Sequence, residues 1–154
     1  MIHLVMTAVM VAHAAPVDGY QSARWGMTRA EVGARIEEAP CVGFYPSSIC
    51  AKIGDLLGNR GEAVYTFGED GLERVRLAFP TARREWAAEV IVVLAEKYGP
   101  PPRNSATALT RLQWDCGVTL VYDEVGGSGY ATITYSPPTA PTADEQHRRA
   151  AEAL

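Results

Sequence analysis

Histidine is almost missing from this chain, and its three copies are marginal: His3 and His13 near the start and His147 near the end. The long middle therefore has no imidazole. That excludes Ser-His-Asp and Cys-His nucleophilic catalysis, histidine acid–base chemistry and histidine metal sites there. Lysine is also scarce, two against twelve arginines, and the net charge is −4. An acidic chain is a poor match for nucleic acid, whose partners carry a basic surface. No stretch is long and apolar enough to span a bilayer. A phosphate-binding loop, a dinucleotide fingerprint and a His-Glu-x-x-His zinc motif are all lacking. "GGSG" at 126–129 precedes no helical pattern and reads as a turn. No cofactor is expected.

What is present begins with "MIHLVMTAVMVAHAAPVDGY". Ile2 to Ala12 is an uncharged apolar run ending in Ala12-His13-Ala14, a small-x-small site of the signal-peptidase type. Residues 1–14 are expected to be a signal peptide, although no positive n-region precedes them. No Cys follows the cleavage site, so no lipid anchor is expected. The location implied is periplasmic or secreted.

Three cysteines fit an oxidising compartment. Cys41 and Cys50 bracket "VGFYPSSI" and are expected to close a disulfide loop, worth about 2.5–3 kcal/mol on chain entropy. Cys50–Cys116 is the alternative pairing. Without histidine beside them the cysteines do not read as a zinc site.

"WGMTRAEV", residues 25–32, is a helix start. Thr28 is placed as N-cap and Glu31 as N3, a capping box, with Met27 and Val32 positioned for a hydrophobic staple. The helix is expected over 28–38, burying Val32 and Ile36, with Pro40 ending it. Trp25 reads as a core plug. Strand-like runs follow: "SSICAKIG", "EAVYTF" and "LERVRLAF", the last two joined at "GEDG". Val75, Leu77 and Phe79 alternate with Arg74 and Arg76, a half-buried antiparallel strand. A second helix is expected from a Thr81 cap to Tyr98, with Trp86, Val90, Val93, Leu94, Lys97 and Tyr98 at helical spacing. Gly99 and Pro100–Pro102 stop it. "ALTRLQW", "VTLVYDE" and "YATITY" read as three more strands.

The expected fold class is α+β: an antiparallel sheet of about six strands with two helices on one face. The order of helix, three strands, helix, three strands suggests an internal duplication. Residues 15–136 form the expected domain, and the Pro/Ala/Thr-rich 137–154 a flexible tail.

Gly26-Met27-Thr28 with Val32, and then "TFGEDGLERV" at 66–75, resemble the SmpA/OmlA, or BamE-like, small outer-membrane assembly lipoproteins. The wider structural group includes β-lactamase-inhibitor-protein-like domains. The resemblance covers about residues 25–79 and implies an exported domain that works by binding other proteins. The chain departs from the family in lacking a lipobox cysteine and the Leu-Gly-x-Pro after the first helix.

Three sets of residues are candidates for chemistry. Glu69 with Asp70, and Asp123 with Glu124, are the carboxylate pairs that an acid–base hydrolase would need; adjacent acids near turns more commonly face solvent. Arg74 and Arg76 on a strand face, with Arg83 and Arg84 at a helix start, form a candidate anion-binding set for an anionic headgroup or an acidic loop. Phe44 and Tyr45 sit on the closed loop. Either both project as aromatic anchors for a partner, or Phe44 folds under to cover the sheet edge. The expected function is an exported, non-enzymatic protein-binding module of the bacterial cell envelope, its partner an envelope protein or a secreted enzyme. The alternatives are a secreted inhibitor of a hydrolase and a small carboxylate-dependent hydrolase.

Overall fold

The computed structural model describes residues 15–101, 109–125, 128–138 and 151. The expected signal peptide at 1–14, and the expected tail beyond 138 apart from residue 151, lie outside the described residues.

A two-residue ribbon comes first: β1 (Gly19–Tyr20) pairs antiparallel with β2 (Ala23–Arg24). Helix α1 (Arg29–Gly33) follows, and its capping box is formed as the sequence implies. Thr28 Oγ1 accepts from the Glu31 N–H at 3.2 Å, and the Glu31 carboxylate accepts from the Thr28 N–H at 2.9 Å. The helix is far shorter than the expected 28–38. Val32 is fully buried one turn in. Gly33 then weakens helix continuation by about 1 kcal/mol relative to Ala. The chain leaves instead to form strand β3 (Glu38–Ala39), which pairs with Ala51 and Cys50.

Three long strands form a meander: β4 (Ser48–Leu56), β5 (Asn59–Gly68) and β6 (Gly71–Phe79). At the β5–β6 turn Gly71 has φ of 91°, and a Cβ there would lie 2.4 Å from the Gly26 carbonyl oxygen. Only glycine fits that conformation and that approach. Helix α2 (Arg84–Tyr98) comes next. Its N-cap is Arg83, with no side-chain cap bond, rather than Thr81, which lies two residues earlier and is exposed. Gly99, φ 96°, ends it by donating its N–H to Ala95. A second meander follows: β7 (Leu109–Trp114), β8 (Val118–Val125) and β9 (Ser128–Tyr135).

The two meanders meet through β6 and β9 in a single antiparallel sheet of order β3-β4-β5-β6-β9-β8-β7. The molecule is therefore mostly sheet, which corrects the expected α+β class with two helices laid on about six strands. Among the described residues seven strands form the main sheet, two more form the ribbon, and α1 is a five-residue turn of helix. The expected helix-plus-three-strands repeat fails as well. A five-residue helix precedes four strands in one half and a fifteen-residue helix precedes three in the other. Local capping residues mark where a helix starts, but its length depends on what the sheet offers the chain next.

One face of the sheet carries the core. Tyr65, Val75, Leu77, Phe79, Leu112, Trp114, Val118, Leu120, Ile133 and Tyr135 all belong to it, closed over by Val32 of α1 and by Trp86, Ala87, Val90 and Leu94 of α2. Val93, expected in the buried stripe of α2, is 46% exposed. The rings of Phe79 and Trp86 lie 4.7 Å apart. Each tryptophan also donates its indole N–H to a backbone carbonyl of a non-strand segment or strand end: Trp25 to Val17 at 2.8 Å, Trp86 to Leu56 at 2.7 Å and Trp114 to Gly99 at 2.9 Å. Buried carbonyls at such places need a donor, and a ring that also fills the core supplies one. Trp25, read from the sequence as a core plug, is half-buried against this core.

Candidate functional site

Cys41 and Cys50 are joined, with a Cα–Cα separation of 5.2 Å. The alternative Cys50–Cys116 pairing is not formed. Cys116 is a buried free thiol, and burial raises its pKa. A buried thiol held protonated is a weak nucleophile. Cys50 is anchored in β4 with 1% exposure, so the bridge ties the loop to a strand of the main sheet. Glu62 on β5 strengthens the tie by accepting from the Val42 N–H at 2.7 Å. Among the described residues, Cys41, Cys50 and Glu62 are the group with metal-ligand spacing. Both sulfurs are spent in the disulfide, so that cluster offers one carboxylate.

Held this way, the loop presents two apolar side chains to solvent. Val42 and Phe44 are each 92% exposed, while Tyr45 is half-buried. Phe44 thus projects rather than folding under the loop, and Tyr45 turns partly inward. Tyr45 folds back over Gly43, where a Cβ would come within 2.8 Å of its ring. The Arg76 guanidinium lies over the Tyr45 ring, 5.2 Å from its centroid. Such a cation–π contact is worth about 0.5–1 kcal/mol at an exposed site. The far end of the loop is fixed by the Phe67 N–H donating to Ser47 and by the Ser48 and Thr66 hydroxyls 3.1 Å apart.

Arg76 also belongs to the sheet face turned away from the core. Cross-strand register lines up Arg76, Thr134, Thr119 and Gln113 on β6, β9, β8 and β7. The next row on that face is Ala78, Thr132, Val121 and Arg111. Among the described residues no helix packs there, and buried Val64, Ala78 and Thr132 are not part of the main core cluster. An open groove of about 980 Å³ runs over this face, with Arg74, Arg111, Gln113, Thr119 and Thr134 in its lining.

The four arginines proposed from the sequence do not converge. Arg74 and Arg76 lie on the open face. Arg83 and Arg84 stand at the start of α2, beside a separate cleft of about 450 Å³. Arg84 is engaged there by Glu124 at 2.6 Å, and that hydrogen bond raises its pKa further. The carboxylate pairs do not converge either. Glu69 and Asp70 occupy the exposed β5–β6 turn, and Asp123 and Glu124 are successive residues of β8 that point to opposite faces.

Sequence reasoning missed Val42, Arg111, Gln113, Thr119 and Thr134. Alternation within β7, β8 and β9 carries the signal for which residues share a face. It carries none for β9 lying beside β6, which is what brings them to the arginines. No protein-family model, curated protein or solved structure matches the chain. Among the described residues no helix is long and apolar enough to cross a membrane.

Proposed function

We propose that this protein is an exported, non-enzymatic module that binds a protein of the bacterial cell envelope through its disulfide loop. The observation that carries the reading is the pair Val42 and Phe44, both 92% exposed on a loop fixed by Cys41–Cys50 and by Glu62. Aromatic side chains, Phe among them, are enriched at the cores of protein interfaces, and an exposed Phe44 is the anchor such a partner would bury, with Val42 adding apolar area beside it. A loop already held in one shape loses little conformational entropy on binding. The signal-like leader and the disulfide support an oxidising, extracytoplasmic location. The resemblance of residues 25–79 to the BamE-like domains supports the same class of function.

The test places a photo-cross-linking amino acid at Phe44 of the oxidised protein and exposes it to envelope and secreted fractions of the native cell. One defined adduct is expected. With the partner so identified, Phe44→Ala in the otherwise native protein should weaken binding about thirtyfold, the scale of an interface hot spot. Reduction of the disulfide should weaken it as well. Affinity unchanged by both treatments rejects the loop as the binding element. Should the partner be a hydrolase whose turnover stops on binding, the protein is an inhibitor rather than an adaptor.

A further inference from the structure

We infer that Cys41, Cys50 and Glu62 form a zinc site when the protein is reduced, so that a disulfide closes the loop in one redox state and a metal ion closes it in the other. The site goes beyond the partner-binding reading and stands without it. The donor atoms of the three residues lie within 4.8 Å of one another. They come from separate segments: Cys50 from β4, Glu62 from β5 and Cys41 from the loop between β3 and β4. Cys50 faces Val64 across the β4–β5 pair and Lys52 faces Glu62, so Glu62 is the diagonal neighbour of Cys50 on one face of the sheet. Reduction turns the two sulfurs into thiols, and the thiolate is the form that binds metal. Zinc takes sulfur and carboxylate oxygen together, whereas calcium and magnesium take oxygen alone. Two thiolates, one carboxylate and a water make up its four-coordinate shell.

Bond lengths decide whether this set can close on one ion. Two sulfurs bound tetrahedrally to zinc at about 2.3 Å are about 3.8 Å apart, against about 2 Å in a disulfide. The sulfurs must therefore part by roughly 1.8 Å. Cys50 is buried within β4 and stays in place. Cys41 is half-buried and belongs to no strand, so the loop end takes up the movement. Glu62 is already oriented: its Oε1 accepts from the Val42 N–H, which leaves Oε2 for the ion. Two thiolates and a carboxylate outweigh Zn²⁺ by one negative charge, and Lys52, opposite Glu62 in register, stands where it offsets that excess. The redox step balances with a dithiol as reductant. It gives two electrons and two protons to the bridge and closes to its own disulfide, and Zn²⁺ then releases both thiol protons to solvent. Reoxidation of the two sulfurs expels the ion.

The experiment titrates Co²⁺ and then Zn²⁺ into the full chain, once oxidised and once reduced with dithiothreitol that is removed before metal is added. The reduced protein should develop a thiolate-to-cobalt charge-transfer absorption that Zn²⁺ abolishes. It should bind Zn²⁺ at least about a hundredfold more tightly than the oxidised protein, which lacks both thiolates. Glu62→Gln should weaken that binding about tenfold and Cys41→Ser about a hundredfold, while Cys116→Ala, outside the cluster, should leave it unchanged. A second readout does not depend on affinity: Zn²⁺ should restore slow hydrogen exchange over residues 38–47 of the reduced chain. Equal zinc binding by the oxidised and reduced proteins overturns the proposal, as does binding that survives Cys41→Ser or Glu62→Gln. Exchange over 38–47 that stays fast with zinc bound overturns it too. Should the reduced chain lose its fold, Zn²⁺ must restore the native circular dichroism, and a chain that binds zinc yet stays unfolded counts equally against the site.

Discussion

Removing the Cys41–Cys50 bridge should loosen one corner of the molecule and lower the stability of the whole. The bridge joins residues nine apart in sequence. On the chain-entropy relation a closure of that size restrains the unfolded chain by about 2.7 kcal/mol. Because Cys50 is buried and Cys41 only half so, Cys41→Ala with Cys50→Ala also removes a little packing, bringing the expected loss to about 3 kcal/mol. For a domain of this length that corresponds to a fall in Tm of about 6–12 °C. Calorimetry of the oxidised protein, the reduced protein and the double variant measures it directly. The local consequence is separate. The two-residue strand β3 pairs with β4 only at Ala51 and Cys50, and the bridge is the next restraint along the chain. Hydrogen exchange should therefore accelerate over residues 38–47 in the reduced protein and remain slow in β5, β6, β8 and β9. Buried Cys116 serves as an internal control, since it should resist alkylation under native conditions before and after reduction. A shift in Tm below about 2 °C, or unchanged exchange over 38–47, would refute the assignment of the loop's order to the disulfide.

Three further outcomes follow from the packing. Gly71→Ala should destabilise by about 1–3 kcal/mol, through positive φ and the close Gly26 carbonyl, and equilibrium denaturation in urea will read it. Trp86→Phe keeps a ring against Phe79 but removes the donor to Leu56; a loss of about 2 kcal/mol is expected in the same urea measurement. Burial first, and then the neighbouring Tyr20, push the Tyr65 hydroxyl up to about 12, and burial raises Tyr135 as well. The unfolded chain ionises these groups near 10, so their contribution is fully present below about pH 10 and is lost as pH rises from there through 12. Urea midpoints should hold up to pH 9 and fall beyond pH 10, with tyrosinate absorbance at 295 nm rising alongside unfolding. Ionisation near pH 10 without loss of structure would contradict the buried tyrosine cluster.

Much of the local structure was legible in the residues. Thr28 and Glu31 marked a helix start because capping is settled within a single turn. Val75, Leu77 and Phe79 marked a core face because strand side chains alternate, and Gly99 marked the end of α2 because few residues tolerate its positive φ. Cys41 and Cys50 lay close enough in sequence for their bridge to be expected, and the bridge is formed. Longer-range matters were not written locally. Helix α1 stops at Gly33 because β4 offers a partner to Glu38 and Ala39, a competition invisible from residues 28–38 alone. The contact of Tyr45 with Arg76 is not readable from the loop either, because Arg76 is distant in sequence and is brought over the Tyr45 ring by the β4–β5–β6 meander. The joining of β6 to β9 set the fold class and the candidate site together, since it placed Arg76 in one row with Thr134, Thr119 and Gln113. Capping, alternation and turn chemistry act over a few residues and so can be read from the sequence. Strand order is decided by which apolar faces close one core together, and that is a property of the whole folded chain.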